Sequence, residues 1–161
     1  MRRSEITGTD WTIGAHRYKT AIDFLVPMSG AAVAVLDNVP RVGKSDFVFT
    51  IDGRHPIGDM GRRKAQFDEL MLIELRKLTG DDDVTILSRW TIHDLRRTAR
   101  TMMSQAKVPA EHAEAALGHV KKGVEGTYDR YAYLDEKRAA FGKLAELVES
   151  IVTPIEAKVA A

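Results

Sequence analysis

The chain has 161 residues, of which 44% are hydrophobic and 29% charged. That size and balance fit one folded domain with one core and exclude a disordered chain. Lys and Arg number 24 against 23 Asp and Glu, a formal net charge of +1, and there is no cysteine. A uniformly basic binder is excluded, although a local basic face is not, and disulfide frameworks, thiolate metal sites and cysteine nucleophiles are excluded as well.

The first fifty residues read as β-rich. Trp11-Thr12-Ile13 and Phe24-Leu25-Val26 are short apolar runs on either side of the polar stretch 14–23, which predicts a hairpin with a long tip carrying His16, Arg17 and Lys19. Pro27 lacks a ladder donor and ends the second strand. Ser29 is placed to cap a short helix over 30–36. Phe47-Val48-Phe49-Thr50 is a further candidate strand. The run 31–36 is also the longest uninterrupted apolar stretch, too short for a membrane span. Arg2 and Arg3 precede no apolar segment, so no secretory signal is read and a cytoplasmic location is expected.

From about Gly58 the pattern turns helical. Phe67, Leu70, Met71 and Leu78 fall near one face of a helix that Gly80 and the acidic run 81–83 break. A second helix is predicted over 93–105. Pro109 opens a third, ended by Gly118 where a left-handed glycine belongs. A last helix is predicted over 134–151, with Leu134, Phe141, Leu144, Val148 and Ile151 as its apolar stripe. The expected class is α+β, a small antiparallel sheet near the N-terminus followed by a helical majority.

The chemistry is concentrated in Thr91-Ile92-His93-Asp94-Leu95-Arg96-Arg97-Thr98. His93 and Arg96 are three apart and share a helix face. Leu117-Gly118-His119 follows at a helix end, and Tyr128 comes nine residues after His119. Arg and His donors can hold a phosphodiester and take up the charge that develops on it, and a tyrosine hydroxyl can then act as nucleophile. Bland readings exist for each. His93 could be an ordinary histidine, and His119 could complement a helix C-terminus. Tyr131 and Tyr133 rival Tyr128, and Lys19 could simply be solvated beside His16 and Arg17. A zinc hydrolase built on His93, His112 and His119 lacks a His-Glu-x-x-His pair and an acidic ligand at suitable spacing.

The ordered series His-x-Leu-Arg-Arg-Thr at 93–98, Leu-Gly-His at 117–119 and Tyr128 resembles the catalytic domain of tyrosine recombinases, the phage-integrase family. Tyr128-Asp129-Arg130 and the stretch 133–138 resemble the tail of prophage-type integrases, and Trp11-Thr12-Ile13, Lys19 and Val26-Pro27 resemble the family's β-hairpin. The resemblance covers about residues 11–150. It implies site-specific DNA recombination through a 3′-phosphotyrosyl intermediate, with Tyr128 as nucleophile. Arg96 would grip the non-bridging oxygens and His119 would donate to the same phosphate. His93 would act as general base or orient the phosphate, and Lys19 would protonate the leaving 5′ oxygen. Arg2, in Arg2-Arg3-Ser4-Glu5, matches the family's first catalytic arginine, although the stretch from there to Lys19 is shorter than the family pattern.

No cofactor, metal or small-molecule substrate is implied. The implied partners are double-stranded DNA and further integrase protomers. Arg97, Arg100, Lys121 and Lys122 are candidate backbone contacts; residues 89–138 hold ten Lys and Arg against seven Asp and Glu, so affinity depends on where the charges sit. The family's N-terminal helical clamp is missing from the chain on this reading, which is expected to be one incomplete catalytic domain with 134–161 as a candidate protomer-docking tail. A catalytically inactive relative that binds DNA or another integrase is the alternative, and an interaction protein using the last helix is a third.

Overall fold

The computed structural model describes residues 1–83, 86–119 and 133–159. A 3-10 turn over Arg3–Glu5 leads into a three-stranded antiparallel sheet in the order β1 (Ile6–Thr7), β2 (Asp10–Ile13) and β3 (Phe24–Pro27). Gly8, at φ 59°, makes the tight link between β1 and β2, a conformation that two-residue hairpin turns need. β2 and β3 form the hairpin read from the sequence, with Trp11 opposite Val26 and Ile13 opposite Phe24. Pro27 is the last residue of its strand. β1 has only two residues and shows no alternation to read.

Among the described residues five helices follow: α1 (Gly30–Asp37), α2 (Met60–Thr79), α3 (Ile92–Gln105), α4 (Ala110–Ala116) and α5 (Leu134–Val159). Their ends follow local chemistry. The Ser29 side chain accepts from Ala32 N at 3.3 Å, satisfying one of the free donors at the start of α1. At the start of α3, Asp94 Oδ2 accepts from Thr91 N at 2.8 Å, half of a capping box. Gly80 and Gly118 close α2 and α4, both at φ 66°. The class is α+β, as expected.

The core lies between α3, α4 and α5. Met103, Val108, Ala113, Ala116 and Ala140 are buried, with Phe141 and Leu144 packed against them. The small alanines of α4 let α5 approach closely, while Met103 fills the space between. α5 therefore packs along its own chain through Leu144, and Arg138 ties it to the sheet by donating to Asp10 Oδ1 at 3.0 Å and Thr9 Oγ1 at 3.1 Å. Further along, Val148, Ile151 and Val152 are exposed, and the helix continues past 151 to Val159.

One expectation is corrected. Phe47-Val48-Phe49-Thr50 forms no strand; a single bridge pairs Phe47 with Arg2. Thr50 Oγ1 instead accepts from Gly53 N at 3.0 Å and donates to His55 O at 2.6 Å, folding the segment into a turn. On α2, Phe67, Leu70 and Leu78 are exposed by 52%, 61% and 42%, while Met71 is half-buried. Trp90 packs on α2: its Nε1 donates to Asp68 Oδ1 at 2.9 Å, its ring lies 4.4 Å from Lys64 Nζ, and the Phe67 ring meets it edge-on with centroids 6.2 Å apart. A cation–π contact, an indole hydrogen bond and an edge-to-face ring contact together hold Trp90 against the helix.

Candidate active site

Side chains that are remote in sequence line one open cavity of about 590 Å³. His93 and Arg96 come from α3, His119 from the turn after α4, and Lys19 from the hairpin tip. A contiguous cavity of about 320 Å³ shares His93, Arg96, Leu117 and His119 and adds Arg97 and Arg100. Helical spacing puts His93 and Arg96 on one side of α3, and the left-handed Gly118 reverses the chain so that His119 meets them.

The Leu117-Gly118-His119 turn is the seat of the site. A guanidinium N–H of Arg96 donates to Leu117 O. Beside it, Tyr18 Oη donates to Gly118 O at 3.2 Å. A Cβ at position 118 would lie 2.1 Å from Tyr18 Oη and 2.9 Å from Phe24 Cζ, so the close approach requires glycine as much as the positive φ does. The Tyr18 ring stacks on Phe24 with centroids 4.6 Å apart and 4° between planes. Burial raises the Tyr18 phenol above its ordinary pKa, against a lowering by Arg96, and keeps it a donor near neutrality. On α5, Lys137 Nζ lies 4.7 Å from the Phe24 ring centroid, and burial lowers the pKa of this lysine.

His119 is oriented by a carboxylate. Its Nδ1 pairs with Glu114 Oε2, while Arg100 Nε donates to Glu114 Oε1 at 2.8 Å. The bonds from His119 and then Arg100 hold the Glu114 carboxyl below the usual range, burial opposing them. A carboxylate on Nδ1 leaves the other ring nitrogen for the cavity. Arg100 is thus engaged with Glu114 and with Ser104 Oγ at 2.6 Å, whereas Arg97 is 75% exposed beside Asp94.

Of the other expected positions, Arg2 lies elsewhere and others fall outside the described residues. Arg2 Nη1 is 3.7 Å from Asp46 Oδ2, and its guanidinium covers the Phe47 ring at 4.9 Å; it is not among the residues lining the cavity. Its neighbour Glu5 accepts from Trp11 Nε1 at 3.2 Å and from Arg17. Tyr128, Lys121, Lys122 and Tyr131 lie outside the described residues. His112 lies beside Glu111 and Tyr133 rather than with His93 and His119, and among the described residues no cluster could hold a metal ion. No helix among them is long and apolar enough to cross a membrane. Tyr18 and Glu114 were not singled out by sequence reasoning, because a hydroxyl on a distant carbonyl and an Nδ1 partner leave no spacing signature.

The arrangement gathers a guanidinium, two imidazoles and an ammonium at one solvent-open cavity, donors suited to an oxyanion such as a phosphodiester. A comparison with protein families finds a match over residues 1–138 to the model described as the phage integrase family. Among known proteins, the prophage integrase IntA of Escherichia coli (strain K12) is 29% identical over 150 residues, 91% of this chain and 33% of that protein. The prophage integrase IntZ of the same strain is 29% identical over 143 residues, 88% of this chain and 32% of that protein. The chain spans about a third of the length of these relatives. No solved structure matches it. The match over most of the chain, falling on the residues that build the cavity, shows that this chain belongs to the phage integrase family.

Proposed function

We propose that the chain breaks and rejoins DNA strands in site-specific recombination, through a covalent link between Tyr128 and a 3′ phosphate. The observation that carries this reading is the convergence of His93, Arg96, His119 and Lys19 on one cavity. Arg96 and His119 bind the non-bridging oxygens of the scissile phosphate and stabilise the charge that builds on them. His93 takes the proton of the Tyr128 hydroxyl or orients the phosphate. The Tyr128 oxygen bonds to phosphorus, the bond from phosphorus to the 5′ oxygen breaks, and the Lys19 ammonium gives its proton to that oxygen. A 5′ hydroxyl from another strand reverses the sequence. The phosphoryl bond is conserved throughout, so no nucleotide is consumed. Strand exchange needs two DNA partners, so protomers that self-associate on DNA are part of the proposal.

The test is incubation with DNA nicked near the scissile phosphate, so that the cleaved fragment diffuses away. A covalent adduct in a denaturing gel that disappears in Tyr128→Phe supports the reading. A second reading, DNA binding without cleavage, is favoured by the placement of Arg2 on Asp46 and Phe47 outside the cavity lining. It predicts salt-sensitive retardation of DNA with no adduct.

A further inference from the structure

The hairpin tip between β2 and β3 is long, and a lysine on an untethered tip would sample many positions for each productive one. The tip is closed internally. Ala15 N donates to Asp23 Oδ1 at 2.7 Å and Arg17 N to Gly14 O at 2.9 Å, and the Arg17 side chain pairs with Glu5. Among the described residues, the hydrogen bond that carries the tip across to the α4 turn is Tyr18 Oη to Gly118 O, 100 residues apart in sequence. The adjacent carbonyl, Leu117 O, receives Arg96. One turn therefore seats both the guanidinium and the hairpin, and Lys19 is the residue next to the seated tyrosine.

We propose that Tyr18 is a positioning residue: its hydroxyl on the Gly118 carbonyl, with its ring clamped on Phe24, fixes the hairpin tip so that the Lys19 ammonium is held in the same cavity as Arg96. Three observations converge on it. The Tyr18–Phe24 stack is nearly parallel, Gly118 has no room for a Cβ beneath the hydroxyl, and Tyr18 and Lys19 both line the cavity with Arg96. The stack is braced from behind by Lys137 on α5. Holding a proton donor near its acceptor removes the entropy of finding it, a contribution that grows steeply with the precision of the fit. The inference rests on the reading of Lys19 as the donor to the leaving 5′ oxygen.

The experiment measures adduct formation by the full chain on two nicked substrates, one with the natural bridging 5′ oxygen at the scissile phosphate and one with sulfur there. A 5′ thiolate leaves without a proton, so a defect in proton delivery is rescued by sulfur and a defect in folding or phosphate binding is not. Tyr18→Phe, which keeps the ring stack, is expected to slow cleavage of the oxygen substrate by about tenfold or more. On the sulfur substrate it should return to within about threefold of the unaltered chain, as should Lys19→Ala. A Tyr18→Phe rate within about twofold of the unaltered chain on the oxygen substrate overturns the inference. So does an equal loss on both substrates. If Lys19→Ala is not rescued while Tyr128→Phe still abolishes the adduct, Lys19 is not the donor and the inference fails while the nucleophile stands. No adduct from the unaltered chain on either substrate removes both the inference and the function on which it rests.

Discussion

Arg96 is half-buried, lines the cavity and donates from its guanidinium to Leu117 O. Arg96→Ala should lower adduct formation by about a hundredfold or more, the scale of removing a preorganised donor from a charge-developing transition state. Its thermal midpoint should stay close to the parent's, because the side chain is outside the core cluster. Gel quantification and a melting curve on the same preparation check both halves. Glu114 makes a pH prediction. Its folded pKa is lowered by His119 and Arg100, so its contribution to stability is complete above the ordinary carboxylate range. That contribution is lost as pH falls through the lowered value, because the unfolded chain then binds the proton more readily. Glu5, Asp46 and Asp94 are lowered too, so the parent's acid loss is a sum. Melting midpoints followed from neutral to acid pH should fall less steeply in Glu114→Gln than in the parent, and parallel curves would contradict this.

At the level of elements, the α4–α5 contact and the turn after α4 hold the site together. Met103 is fully buried at 0% exposure, and Met103→Ala should cost about 2–5 kcal/mol by loss of apolar contact and the cavity left behind. Denaturant titration measures it. Gly118→Ala meets a positive φ and a Cβ placed 2.1 Å from Tyr18 Oη; the backbone part alone should cost more than about 1 kcal/mol. The collision should also detach the hairpin, which ring-current shifts of Tyr18 and Phe24 report by NMR. The hairpin, the extent of α3 and α4 with its closing glycine were legible in the sequence, because each is set by local rules of apolar runs, helical spacing and φ preference, whereas the capping box that starts α3 was not read from it. Which side of α2 packs was not legible, for the converse reason. Phe67, Leu70 and Leu78 have helical spacing, but spacing does not reveal that Trp90, more than twenty residues away, packs on Lys64, Phe67 and Asp68.

For the whole molecule, a net charge of +1 means that DNA affinity must come from placement rather than total charge. Arg97 is 75% exposed in a surface ion pair with Asp94, which a backbone phosphate can displace, while Arg100 is held by Glu114 beside His119. Arg97→Gln should therefore reduce the slope of log affinity against log salt by about 1. Arg100→Gln should leave that slope nearly unchanged and slow cleavage instead, through His119. Titrations at several salt concentrations separate the two. That residues 93, 96 and 119 belong together was legible because their order and spacing resemble a family pattern, and they line one cavity. The inner supports at Tyr18 and Glu114 were not, since they exist only once hairpin and helix are packed together.

The central claim is that Tyr128 becomes joined to DNA at the cavity of Arg96, His93 and His119. The direct measurement is mass spectrometry of the protein–DNA adduct after digestion with trypsin and nuclease. Residues 123–130 form a tryptic peptide that holds Tyr128 and no other tyrosine, while 131–137 holds Tyr131 and Tyr133. The account predicts a nucleotide remnant on 123–130 and none on 131–137. A remnant on 131–137 or on the peptide holding Tyr18 would contradict it, as would an adduct that survives Tyr128→Phe.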